Sequence, residues 1–207
     1  MNASFFCLLR VFALGLLLSS CAHKSPKPLL TEDWLQHRTQ VSSLGKWQAT
    51  GKLAVKVPDD GGSMSLRWQQ QPDEFTLEFT GPFGQNLLSI TGQGKSVQLN
   101  EPGKPTISAS TAEELIRRNT GWTIPVTQLA FWVRGLPDPH ARIHRFTPNT
   151  QGLIGELEQL DWRINYSEYI GVDTGTGVVN MPKRIIADYK DMRLTLVIRE
   201  WQLESTP

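Results

Sequence analysis

Cysteine is nearly absent from this chain. Of 207 residues only Cys7 and Cys21 carry a thiol, and both lie near the N-terminus. Beyond Cys21, disulfide staples, cysteine nucleophiles and cysteine-ligated metals are excluded. An excess of one charge is also missing. Lys and Arg number 21 and Asp and Glu 20, and Arg10 is the only charge before Cys21, so the balance from Cys21 onward is 20 minus 20, or zero. A neutral domain gives no basis for nucleic-acid binding, which favours a basic patch, nor for charge-driven binding to anionic headgroups. Any lipid contact is therefore expected to be apolar. Signatures of catalysis are lacking too: there is no G-x-S-x-G elbow, P-loop or H-E-x-x-H. His140 and His144, separated by Arg142 and preceded by Asp138-Pro139, read as surface histidines rather than metal ligands. Glu113-Glu114 fits a capping box without any acid/base role. Gly92-x-Gly94 and Gly175-x-Gly177 are turn glycines, not a dinucleotide loop. Neither an enzyme, a metal nor a cofactor is expected.

Long apolar runs are scarce as well. Val11 to Leu18 is preceded by Arg10 and followed by Ser19-Ser20-Cys21. It is shorter than the ~20 residues of a membrane span and has the layout of a secretory signal. Leu18-Ser19-Ser20-Cys21 resembles the lipobox of bacterial lipoproteins. That resemblance implies acylation of Cys21 after removal of residues 1–20, and stable anchoring by more than one acyl chain. Residues 21–31, with two prolines, read as a tether. Residues 32–207 then form one domain of large-β or mixed type.

In that domain Glu32 and Asp33 open a helix carrying Trp34, Leu35, Arg38, Val41 and Leu44 at helical spacing, ending near Leu44. From Lys46 the period becomes two. Leu53, Val55 and Val57 alternate with Lys52, Ala54 and Lys56, and Pro58 to Gly62 is a turn in which glycine supplies positive φ. Leu66 and Trp68 share one face of the return strand, and Phe75, Leu77 and Phe79 share one face of the next. Short strands follow at Leu87–Thr91, Val97–Asn100 and Thr106–Ala109. Thr111-Ala112-Glu113-Glu114 starts a helix to about Asn119, and Pro125 starts a second that Gly135 and Pro137 end. Strands return at Leu153–Glu158, from Trp162, at Lys183–Tyr189 and at Arg193–Leu203, with Gly171 to Gly177 as a loop. Roughly ten antiparallel strands and two or three helices result. The sheet is expected to close as a barrel or to curl around helices, leaving an apolar cavity if the cover is incomplete.

TGPFGQ, from Thr80 to Gln85, holds an aromatic side chain between Gly81-Pro82 and Gly84. Phe83 at such a tip is either tucked back or exposed as a wedge for a membrane or partner. Turn physics favours tucking back, and the turn breaks the period that would decide.

Several segments, in order, resemble the outer-membrane lipoprotein receptor LolB family of Gram-negative bacteria. They are the lipobox with Cys21, GKLAVKV from Gly51, WQQ from Trp68, TGPFGQ, TAEELIRRNTGWTIPVTQLAFWVRGLPDP from Thr111, DWRINYSEY from Asp161, MPKRIIADY from Met181 and RLTLVIREW from Arg193. The resemblance implies a half-open antiparallel β-barrel closed by a helical lid over an apolar cavity. It implies a periplasm-facing, outer-membrane-anchored monomer. Its partners would be the periplasmic carrier LolA, acylated lipoprotein cargo and outer-membrane phospholipid. Phe83, with Gly81, Pro82 and Gly84, matches a loop whose exposed apolar residue, usually leucine, serves insertion. Candidate cavity or lid residues are Trp68, Phe75, Leu77, Phe79, Leu115, Trp122, Leu129, Trp132, Leu194 and Leu196, each of which plain core packing would also explain. Two other readings are a lipid-anchored structural or assembly subunit without lipid binding, favoured by a filled core, and an anchored hydrolase, favoured by convergent titratable groups in a cleft.

Overall fold

The computed structural model describes residues 32–175 and 177–205. The signal, the tether and Cys21 lie outside the described residues. The elements run α1 (Glu32–Ser42), β1 (Leu44–Lys56), β2 (Gly61–Gln70), β3 (Glu74–Thr80), β4 (Asn86–Gln93), β5 (Ser96–Asn100), β6 (Ile107–Ala109), α2 (Ala112–Thr120), α3 (Val126–Trp132), β7 (Ile143–Pro148), β8 (Ile154–Gln159), β9 (Trp162–Asp173), β10 (Val178–Tyr189) and β11 (Met192–Ser205).

All eleven strands described belong to one antiparallel sheet of order β6-β5-β4-β3-β2-β1-β11-β10-β9-β8-β7. Two meanders meet where β1 pairs with β11. Their far strands, β6 and β7, remain unjoined edges. The chain between those edges forms α2 and α3, so the helices cross the gap of an unclosed barrel as a lid. The expected half-open barrel with a helical lid is the architecture observed.

Curvature has a local cause at the central seam. The β1–β11 register shifts between Thr50 and Gly51, and such a bulge bends its strand. A Cβ on Gly51 would overlap the Val197 carbonyl, so glycine alone allows this approach. The concave face buries Leu66, Trp68, Leu77, Phe79, Ile90, Leu194, Leu196 and Ile198. Helix α1 packs outside the lid, against β10 and β1.

The structure departs from sequence expectations in four places. Helix α1 stops at Ser42 and β1 begins at Leu44, two residues before the expected change of period. Gly61 and Gly62 open β2 without positive φ, because the Val57 amide closes the turn onto the Asp60 carbonyl. Strand β7 was not foreseen: among Ile143–Pro148 only Phe146 is buried, so no alternation is visible. Strands β9 and β10 extend past Gly171 and start at Val178, which shortens the expected loop.

Candidate functional site

Beneath the lid lies a small cavity of about 60 Å³ with no polar side chain in its lining. The sheet contributes Leu53 from β1, Leu66 and Trp68 from β2, Leu77 and Phe79 from β3, and Leu194 and Leu196 from β11. The lid contributes Ile116, Ile124, Val126 and Leu129. Period two explains the sheet side, since alternate residues of a strand share a face.

A larger, open pocket of about 510 Å³ lies at one end of the half-barrel. It is bordered by Leu44, Trp47, Gln70, Gln71, Pro72, Phe75, Gly94, Val97, Glu113, Phe131 and Arg134, and it shares Trp68 and Val126 with the buried cavity. Those two side chains form the partition between mouth and interior. Trp47 and Trp68 line the mouth, and Trp201 packs behind them. Trp47 lies 5.4 Å from Trp68 and 5.7 Å from Trp201, centre to centre. A further pocket of about 400 Å³ lies beside the mouth and is lined by Trp34, Arg38, Phe131, Arg134, Asp138 and Phe146 among others.

Helix α2 is set by its caps. Thr111 Oγ1 accepts the Glu114 amide at 3.1 Å, the Glu114 carboxylate accepts the Ser110 amide, and Gly121 closes the helix in a left-handed conformation. Glu113 accepts the Thr127 amide at 2.8 Å, tying α2 to the start of α3. Helix α3 ends in the WVRGL turn, where the Leu136 and Arg134 amides both bond the Phe131 carbonyl. The end of α3 is locked by buried polar groups. Gln159 accepts from Trp132 Nε1 at 3.0 Å and from the Asp138 amide at 2.9 Å. The same side chain donates to the Asp138 and Ala141 carbonyls. Tyr166 donates to the Trp132 carbonyl at 2.9 Å. Burial raises the pKa of Tyr166 well above that of an ordinary phenol and keeps it a neutral donor.

At the opposite end of β3 from the mouth, Thr80 leads into the TGPFGQ turn. Phe83 is 94 % exposed, so the tucked-back option is not adopted. The Gly81 amide bonds the Gln85 carbonyl, the Gly84 amide bonds the Gly81 carbonyl, and the Phe83 amide bonds Gln85 Oε1. Gly84 at φ 78° closes the turn. The backbone is thus fixed while the ring stands in solvent, with Leu87 partly exposed beside it.

Of the residues singled out from sequence, Trp68, Leu77, Phe79, Leu129, Leu194 and Leu196 line the buried cavity. Phe75 lines the mouth. Leu115 and Trp132 are fully buried outside both linings, and Trp122 packs half-buried against the core. Sequence reasoning missed Leu53, Leu66, Ile116, Ile124 and Val126, although Leu53 and Leu66 sit in alternating patterns that pointed inward. His140 and His144 are both exposed. Among the described residues no group of three or more His, Cys, Asp or Glu is arranged to hold a metal, and no helix is long and apolar enough to cross a membrane.

An unclosed antiparallel sheet curled around an apolar interior and roofed by helices defines a class, the lid-covered half-barrels. Two solved structures share this fold: a LolA superfamily protein from Nitrosomonas europaea (TM-score 0.50, 10 % identity, covering 84 % of this chain and 94 % of that one), and a putative outer membrane lipoprotein-sorting protein domain from Vibrio parahaemolyticus (TM-score 0.53, 9 % identity, 83 % and 91 % covered). Sequence narrows the class. The chain belongs to the LolB family, whose model, described as outer membrane lipoprotein LolB, matches residues 45–201. The outer-membrane lipoprotein LolB of Cellvibrio japonicus is 42 % identical over 197 residues, covering 95 % of this chain and 96 % of that one. That of Stutzerimonas stutzeri is 36 % identical over 194 residues, covering 91 % and 92 %.

Proposed function

We propose that this protein is a lipid-anchored outer-membrane receptor. It accepts acylated lipoproteins from a LolA-type periplasmic carrier and inserts them into the outer membrane. The observation that carries the reading is the cavity beneath a helical lid, lined entirely by apolar side chains and separated from an open mouth only by Trp68 and Val126. Trp68, Phe75, Leu77, Phe79, Leu129, Leu194 and Leu196 contact the acyl chains, and Leu115, Trp122 and Trp132 belong to the lid. Cys21 carries the anchor.

The chemistry is transfer without bond breaking. Each CH₂ taken out of water contributes about 0.8 kcal/mol, so cargo passes downhill from carrier to receptor to bilayer when each site binds more tightly than the last. No nucleotide is needed. An interior of about 60 Å³ is far below the ~300–1,000 Å³ of pockets that bury drug-sized ligands, so acyl chains enter only when the lid, led by α2, lifts from the sheet. A structural subunit without lipid binding would fill this space, and its apolar vacancy favours the receptor.

Phe83 is the insertion wedge. Full burial of a phenylalanine side chain is worth about 1.5–3 kcal/mol, too little to hold a protein on a membrane but enough to bias an anchored one toward insertion. Phe83→Glu is expected to leave cargo acceptance from the carrier unchanged and to abolish incorporation into liposomes. Incorporation at the wild-type rate would overturn the wedge assignment. A lipid-free protein that shows no saturable binding of an apolar dye would overturn the receptor itself.

A further inference from the structure

The geometry points to Arg134 as the polar end of an amphiphile site: its guanidinium holds the anionic oxygens of a lipid head, carboxylate or phosphodiester, while the attached acyl chain runs along the mouth toward Trp68 and Val126. The inference rests on the receptor reading of the apolar interior and adds a head-group contact to it.

Arg134 is half-buried and lies two residues past the end of α3. Its Nε donates to the Ala130 carbonyl at 2.9 Å. Its guanidinium carbon lies 5.7 Å from the Trp47 ring centre and 5.4 Å from that of Phe131, within range of attraction to both rings. Among the described residues no carboxylate pairs with it. The other arginines near acids are paired, as in Arg67 with Glu78, Arg118 with Glu114, Arg163 with Glu158 and Arg193 with Asp188. The two carboxylates that line the adjoining pockets are turned to backbone amides instead, Glu113 to Thr127 and Asp138 to His140. Burial lowers the Arg134 pKa from the usual guanidinium range to about 10, so it remains charged at neutral pH. A cation set in an apolar site without a counter-charge is costly, and an incoming anion removes that cost. Arginine's planar fork suits carboxylate and phosphate oxygens, two bonds at a time.

The surroundings distinguish a lipid from a small anion. Arg134 borders both the 510 Å³ mouth and the neighbouring 400 Å³ pocket. From its position Trp47, Trp68 and Val126 give an apolar path into the interior. Arg38, exposed and in no ion pair among the described residues, lines the second pocket and adds positive charge. Inorganic phosphate would satisfy the charge and leave the path empty.

The test uses three ligands with one palmitoyl chain each: palmitate, palmitoyl lysophosphatidylglycerol and uncharged monopalmitoyl glycerol. Each displaces an apolar fluorescent dye from the purified protein at neutral pH. The anionic ligands are expected to displace it at concentrations about tenfold lower than the uncharged one. Arg134→Leu, checked for folding by its melting curve, removes that preference without weakening monopalmitoyl glycerol, and Arg134→Lys retains part of it. Preference for one anionic head alone supports the site and identifies its source as fatty acid or phospholipid. Equal displacement by all three in the wild type overturns the assignment and leaves the receptor reading intact. No displacement by any of them overturns both.

Discussion

The two halves of the lid are attached in different ways. The end of α3 is pinned by directional bonds deep in the molecule: Trp132 and Asp138 to Gln159 on β8, and the Trp132 carbonyl to Tyr166 on β9. Helix α2 holds to the sheet through apolar contact alone. Its polar groups bond within the helix, to its own caps or to Thr127 at the start of α3, and among the described residues none reaches a strand. The cavity roof spans both halves, with Ile116 from α2, Ile124 from the link and Val126 and Leu129 from the start and middle of α3. Buried hydrogen bonds lose strength steeply when misaligned, whereas apolar contact is non-directional. The difference is the basis for expecting the end of α3 to act as a hinge and α2 as the moving flap.

Gln159→Leu attacks the pinned half and has the largest expected effect. It strands Trp132 Nε1, the Asp138 amide and two carbonyls in a dry interior, at about 1–3 kcal/mol for each unsatisfied group. A loss of roughly 4 kcal/mol lowers the melting temperature by about 10 °C, and amide exchange at residues 129–136 rises to the rate of α2. A melting temperature within ~2 °C of wild type would remove the hinge. Acid acts outside the lid. His37 on α1 is buried beside Trp34, its Nε2 has no hydrogen-bond partner, and burial lowers its pKa from 6.5 to about 4. The unfolded chain takes up this proton near pH 6.5 and the folded protein only near pH 4, so protonation favours unfolding in between. Stability is therefore expected to fall by about 2–3 kcal/mol from pH 7 to pH 4 on this account. Denaturant titrations of His37→Leu should lack that share of the loss, and equal pH profiles would dismiss it.

The loose half is expected to respond more gently in stability and more strongly in uptake. Ile116→Ala costs about 1 kcal/mol, because the side chain is only partly buried, and it enlarges the cavity. Apolar dye should bind more tightly to this variant than to wild type, and unchanged or weaker binding would place the cavity outside the ligand path. Smallest of all is the effect of Phe83→Glu on the fold. A side chain 94 % exposed contributes less than about 0.5 kcal/mol, so its melting curve should overlay the wild-type curve even where delivery to liposomes is lost.

The first meander was legible because its strands alternate cleanly around glycine and proline turns, and Thr111 with Glu114 marked α2. Segments that bury one face weakly were not. Ile143–Pro148 buries a single side chain, and β10 carries Pro182 next to a break in its pairing with β9, so periodicity passes over both. Trp132 read as a cavity candidate because apolar character was all that its neighbours in sequence offered. Its indole is held by Gln159, 27 residues on, and such a partnership exists only after folding. Phe83 was visible as a turn-tip aromatic, but its exposure depends on hydrogen bonds that Gln85 accepts from Gly81 and Phe83 and that no pattern encodes. Arg134 stood within the WVRGLP segment without a role, since its distinction, that no carboxylate among the described residues pairs with it, exists only in three dimensions.

An unclosed barrel keeps two rows of unsatisfied strand edge, and such rows are ready templates for another chain. Here β6 has three residues and packs beneath α2. Strand β7 breaks register at Ile143/Arg145 and again at Thr147/Pro148, and Pro148 has no amide to offer. Neither rim presents the long, flat, regular ladder from which aggregates grow. The geometry of the two rims thus works against edge-to-edge self-assembly while leaving the barrel unclosed.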